Sequence, residues 1–81
     1  MRYQAMIERK WSAQASNIIK SELIRRGIGY DQLQEKMAEI GINETANAIN
    51  VKINRGKFSF AFFLQVMNAI GAKSLRLDDE W

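Results

Sequence analysis

The sequence predicts an all-α protein, a compact bundle of four to five helices, and three observations lead there. Apolar residues recur at the three- and four-residue spacing of a helix rather than alternating as in a strand. Proline is absent, so nothing interrupts long helical runs. Gly27, Gly41, Gly56 and Gly71 each follow an apolar periodic run, where a helix terminator belongs. At 81 residues the chain makes one domain over 1–81, with a core expected over about 13–72. A chain this short buries only about two-thirds of its unfolded surface, so its core must be economical.

Taken in order, Tyr3, Ile7 and Trp11 lie four apart with Met6 beside them and predict an amphipathic helical segment over 3–11. A second stripe, Ala15, Ile19 and Leu23 flanked by Ile18 and Ile24, predicts a helix from about Ala13 to Arg26, closed by Gly27. Ile28 and Leu33 are at the spacing of a hydrophobic staple around an N-cap at Gly29, so the next helix starts near Tyr30. Its buried stripe is Leu33, Met37 and Ile40, and Gly41 ends it. Asn43 is the expected N-cap of the following helix, which buries Ile42, Ala46, Ile49 and Ile53 and stops at Gly56. Ser59 caps a last helix, stapled by Phe58 and Phe63, with Phe63, Val66, Met67 and Ile70 as its core stripe. Phe60, Phe62 and Leu64 widen that stripe enough for a central helix or a subunit interface. Beyond Gly71, Ser74-Leu75-Arg76-Leu77 alternates as a short strand would, and Asp78-Asp79-Glu80 reads as a solvated acidic end.

Composition excludes most chemistry. With no His and no Cys, scattered carboxylates and no glycine-rich phosphate loop, the residues for acid–base, thiol or zinc catalysis are missing. We expect no enzyme, no metal, no cofactor and no small-molecule substrate. No apolar run reaches the roughly 20 residues needed to span a bilayer, and the N-terminus lacks a secretion signal, so a cytoplasmic protein is expected. The net charge of +3 permits nucleic-acid binding without demanding it. Positive charge concentrates in residues 1–29 and again at Lys52, Arg55 and Lys57.

The third helix carries the functional signal. Opposite its isoleucines lie Glu44, Asn47, Ala48, Val51 and Arg55, with Asn50 and Asn54 on one flank and Lys52 on the other. Asn costs a helix interior about half a kcal/mol relative to Ala, so this face serves something besides stability. Asn reads adenine, Arg reads guanine, and Val meets a thymine methyl in the major groove. Asn47, Asn50, Val51 and Arg55 are the candidate base readers. Lys52, Lys57, Ser59 and Asn43 are candidate phosphate contacts. Bland readings stand beside these: a solvated loop charge for Lys57, a cap for Ser59, and a pair complementing the helix dipole for Arg25-Arg26. The Phe and Trp residues read as core rather than stacking platforms.

The segment from Ile18 to Gly71 resembles the λ-repressor-like helix-turn-helix family of the xenobiotic-response-element type. The resemblance rests on Gly27-Ile28-Gly29 before Leu33, Gly41-Ile42 at the turn, Ile53-Asn54-Arg55-Gly56, and Ile70-Gly71. The run Arg55-Gly56-Lys57-Phe58-Ser59 with Phe62-Phe63-Leu64-Gln65 also looks like a group of uncharacterised small bacterial domains, which implies fold more than function. What the first resemblance implies is a small bacterial or phage transcriptional regulator that binds duplex DNA, as a homodimer on two half-sites. Tyr3, Ile7 and Trp11, or Leu75, Leu77 and Trp81, are the candidate dimer surfaces. The chain departs from the family spacing by about three extra residues before Gly41 and again before Gly56, which predicts two lengthened helices. The alternative function is a protein–protein interaction module, an inhibitor or accessory factor on the same scaffold.

Overall fold

A computed structural model describes residues 2–75 and Leu77, with residues 2–8 described by their helical backbone alone. Four helices follow one another: α1 (Arg2–Arg26), α2 (Tyr30–Glu39), α3 (Ala46–Arg55) and α4 (Phe60–Ile70). No strand occurs among the described residues. The chain is therefore a small all-α bundle of four helices. Of the segment expected to alternate as a strand, residues 72–75 are irregular and Arg76 lies outside the described residues.

The two segments expected over 3–11 and 13–26 are one continuous 25-residue helix. No Gly or Pro separates Trp11 from Ala13, so the backbone hydrogen bonding has no reason to break there. α1 packs on α3 and α4, and α2 packs on α3 and α4. The core lies where these four contacts meet: Ile19 and Leu23 from α1, Leu33 and Met37 from α2, Ile49 and Ile53 from α3, and Phe62, Val66, Met67 and Ile70 from α4.

Local chemistry closes each helix. Gly27, Gly41 and Gly71 sit in left-handed conformation. The residue after each donates its N–H back to a carbonyl five positions earlier: Ile28 to Leu23 at 2.9 Å, Ile42 to Met37 at 2.9 Å and Ala72 to Met67 at 2.9 Å. This is the Schellman closure, with an apolar residue folded over the last turn. At the start of α2, Gln32 Oε1 accepts from the Gly29 N–H at 3.0 Å, and Ser59 Oγ accepts from Phe62 N at 3.0 Å to cap α4.

Several expectations are corrected. Asn43 does not cap α3. Thr45 does, its Oγ1 accepting from Ala48 N at 3.1 Å, and the helix begins at Ala46. α2 and α3 are each ten residues long, joined by the connection over 40–45. Ile40 falls past the end of α2 and is exposed, and Ile24 on α1 is 80% exposed. In α4 it is Phe62 rather than Phe63 that enters the core, with Phe63 half-buried beside it.

Candidate nucleic-acid interface

The position of α3 follows from how its first turn is satisfied. Its leading N–H groups have no partner inside the helix. Thr45 takes the Ala48 N–H, and Gln34, reaching across from α2, accepts from Ala46 N at 2.9 Å. That second bond ties α2 to the start of α3 over twelve residues of sequence. Sequence reasoning missed Gln34, because a hydrogen bond between helices leaves no periodic signal.

With Ile49 and Ile53 fully buried, the opposite face of α3 stays open. Asn47, Val51, Asn54 and Arg55 are all exposed, Val51 at 46%. Among the described residues no other helix covers Asn47, Val51 and Arg55. From Asn47 to Arg55 the helical rise spans roughly 12 Å, comparable to the width of the DNA major groove. Asn50 sits lower on the flank, half-buried. Asn54 Nδ2 donates to the Asn50 carbonyl at 2.9 Å and to Asn50 Oδ1, so the amide oxygen of Asn50 is already engaged within the helix. Of the two amides Asn47 is the one turned outward without a partner among the described residues.

Of the predicted phosphate contacts, Lys52, Lys57 and Ser59 line one cleft, and Lys52 is already engaged by a carboxylate. The Lys52 ammonium pairs with Glu44 Oε1 and lies 5.1 Å from the centre of the Phe62 ring. Glu44, on the connection before α3, thereby cancels part of the charge that the sequence placed here. Arg55 and Lys57 have no carboxylate partner among the described residues. Together with Lys52, Phe58, Ser59 and Phe62 they line an open cleft of ≈ 410 Å³ between the end of α3 and the start of α4. The α4 N-terminus adds its partial positive charge on the same side. Asn43 is exposed on the connection, away from the cleft lining.

The two basic segments of the sequence meet at this end of the bundle. Gly56 adopts φ +68°, and a Cβ placed on it would come 1.9 Å from the backbone oxygen of Ser12. Only glycine permits α1 and the end of α3 to approach so closely. One turn before Ser12, α1 carries the exposed Arg9 and Lys10. Arg9 falls about 60° from Ser12 on the helix wheel. Arg25 and Arg26, by contrast, are bonded to the buried Glu22, Arg25 at 2.8 Å, at the far end of α1.

The proposed dimer surfaces are placed in part. Trp11 is 54% exposed, and Leu75 and Leu77 are exposed. The side chains of Tyr3 and Ile7 and the whole of Trp81 lie outside the described residues. Among the described residues no helix is long and apolar enough to cross a membrane.

The fold and site define the class first: a small all-α bundle with one polar helix face left open beside a basic cleft. The family model of a domain of unknown function, DUF6471, matches residues 11–75, and the chain belongs to that family. No curated protein and no solved structure matches it.

Proposed function

We propose that this protein binds duplex DNA sequence-selectively, with α2 and α3 acting as a helix-turn-helix of the λ-repressor-like kind and α3 as the reading helix. The carrying observation is the exposed stripe of Asn47, Val51 and Arg55 next to the cleft of Arg55 and Lys57. Asn47 and Arg55 supply base-edge donors and acceptors, and Val51 an apolar contact for thymine. Lys57, the α4 N-terminus capped by Ser59, and Arg9 from α1 hold phosphates and set register. The role that fits is a small transcriptional regulator.

Fluorescence titration with mixed-sequence duplexes tests it. Binding is expected at about 50 mM salt, falling steeply as salt rises through counterion release. Asn47→Ala is expected to flatten the sequence preference by about 1–3 kcal/mol at one position. Arg9→Gln should instead weaken all sequences alike and lower the salt slope by about 0.9. Absence of binding at low salt would end the proposal.

A protein-interaction module is the second reading, favoured by the neutralisation of Lys52 and by the charge-free outer face of α4. Charge reversal at Arg55 and Lys57 separates the two, since it abolishes DNA binding but leaves docking through α4 unchanged.

A further inference from the structure

The chain that follows α4 runs close to the basic cleft. Leu75, with Ala15 and Ile18 of α1, lines a groove of ≈ 270 Å³ whose walls also include Phe58 and Ser59. Phe58 and Ser59 are at the same time walls of the cleft that holds Arg55 and Lys57. The groove therefore leads from Leu75 to the cleft. Three residues of extended chain span roughly 10 Å, enough to cross a groove of that volume, so the run Asp78-Asp79-Glu80 follows Leu75 within reach of the two cations. Asp78, Asp79 and Glu80 themselves lie outside the described residues.

We infer that Asp78-Asp79-Glu80 docks in the cleft of Arg55 and Lys57, its carboxylates standing in for the phosphates that, on the reading proposed above, duplex DNA brings there. Charge selects this occupant first. Three of the nine carboxylates of the chain stand in this one run, and a carboxylate accepts from guanidinium and ammonium groups as a phosphate oxygen does. Arg25, Arg26 and Lys52 are already paired with Glu22 and Glu44, whereas Arg55 and Lys57 have no carboxylate partner among the described residues. Shape selects it next. Two cations lining one cleft focus their field, while Lys73, nearer along the chain, is a single cation on a neighbouring groove. The tether completes the case, since a short connection holds the run at an effective concentration in the millimolar range, where individually weak exposed ion pairs suffice. DNA must then displace the run, and its apparent dissociation constant rises by the fraction of molecules with the cleft closed, about three- to tenfold at low salt. Salt screens the docking and removes this effect.

Amide chemical shifts of the DNA-free protein read the docking directly. Neutralising the run with Asp78→Asn, Asp79→Asn and Glu80→Gln should move the signals of Lys57, Phe58 and Ser59 at about 50 mM salt and leave them unmoved at about 500 mM. A charge-matched control, Asp31→Asn, Glu35→Gln and Glu39→Gln at exposed positions of α2, should leave them in place at both. In a duplex titration at low salt the tail variant should bind about three- to tenfold more tightly than the wild type, and the α2 variant should gain distinctly less. Cleft signals that do not respond to the tail variant, or that respond equally to the α2 variant, overturn the inference whatever DNA does. Responding signals with equal DNA affinity overturn the competition. Responding signals with no DNA binding by either protein uphold the docking and remove the DNA-binding reading instead.

Discussion

Replacing Gly56 with alanine perturbs two things at once, and Gly41 provides the control that separates them. Both glycines have positive φ, +68° and +87°, so an alanine at either loses about 1–2 kcal/mol to left-handed backbone strain. At Gly41 the new methyl meets nothing within 4 Å, and strain is the whole effect. At Gly56 the methyl would stand 1.9 Å from Ser12 O and 2.6 Å from Ser12 C, both backbone atoms that no rotamer change can move. Restoring ordinary contact near 3.4 Å requires α1 and α3 to part by about 1.5 Å. A gap of even 0.5–1 Å forfeits about a quarter to a half of a dispersion contact, and Ile19 and Ile53 lie at that helix pair. Adding about 1–3 kcal/mol for overpacking brings Gly56→Ala to roughly 2–5 kcal/mol. A chain of this length has roughly 4–12 kcal/mol in all. Thermal unfolding followed by circular dichroism should show Gly41→Ala lowered by about 4–16 °C and Gly56→Ala by distinctly more, or not folding. Asparagine sharpens the comparison, since it tolerates left-handed backbone but still carries a Cβ. Gly41→Asn should cost little, whereas Gly56→Asn should be as damaging as Gly56→Ala. Equal losses at the two sites would refute the close approach of α1 to the end of α3.

Other substitutions probe the rest of the design. Glu44→Gln releases Lys52 from its ion pair, so DNA affinity should rise and the salt slope steepen by about 0.9; unchanged binding in the titration would show that Lys52 faces no phosphate. Gln34→Ala leaves Ala46 N without its acceptor and should lower stability by about 0.5–1.5 kcal/mol in urea unfolding; a larger fraction of the loss should appear in binding, because α3 loses its tie to α2. Ser16 buries a hydroxyl that has no hydrogen-bond partner among the described residues, so Ser16→Ala should be neutral or stabilising by up to about 1 kcal/mol, and a lowered melting temperature would contradict this.

Helix ends were legible because they are local. Gly27, Gly41, Gly56 and Gly71 and the Ser59 cap act within a few residues, and each stands where the pattern put it. The start of α3 was not. Asn43 ranks above Thr45 as an N-cap by intrinsic preference, but Gln34 meets the chain at Ala46, and the helix begins where both donors are satisfied. The candidate reading face was legible from the isoleucines opposite it, since Ile49 and Ile53 had to be inside. What the sequence could not reveal was which cations remain available, because Glu44 and Lys52 are eight residues apart and meet only across the connection.

The glycines that end the helices and the centre of each buried stripe, Ile19 and Leu23, Leu33 and Met37, Ile49 and Ile53, Val66, Met67 and Ile70, were determined by the sequence alone, through hydrogen-bond closure and apolar periodicity that act along a single segment. Tertiary structure decided how segments far apart combine: that Ser12 and Gly56 touch, that Lys52 is neutralised, and that Phe60 and Leu64 stay outside. Those outcomes depend on the angle and separation of packed helices. Such quantities are set by the combined shape of side chains from four elements, and no window of one helix contains them.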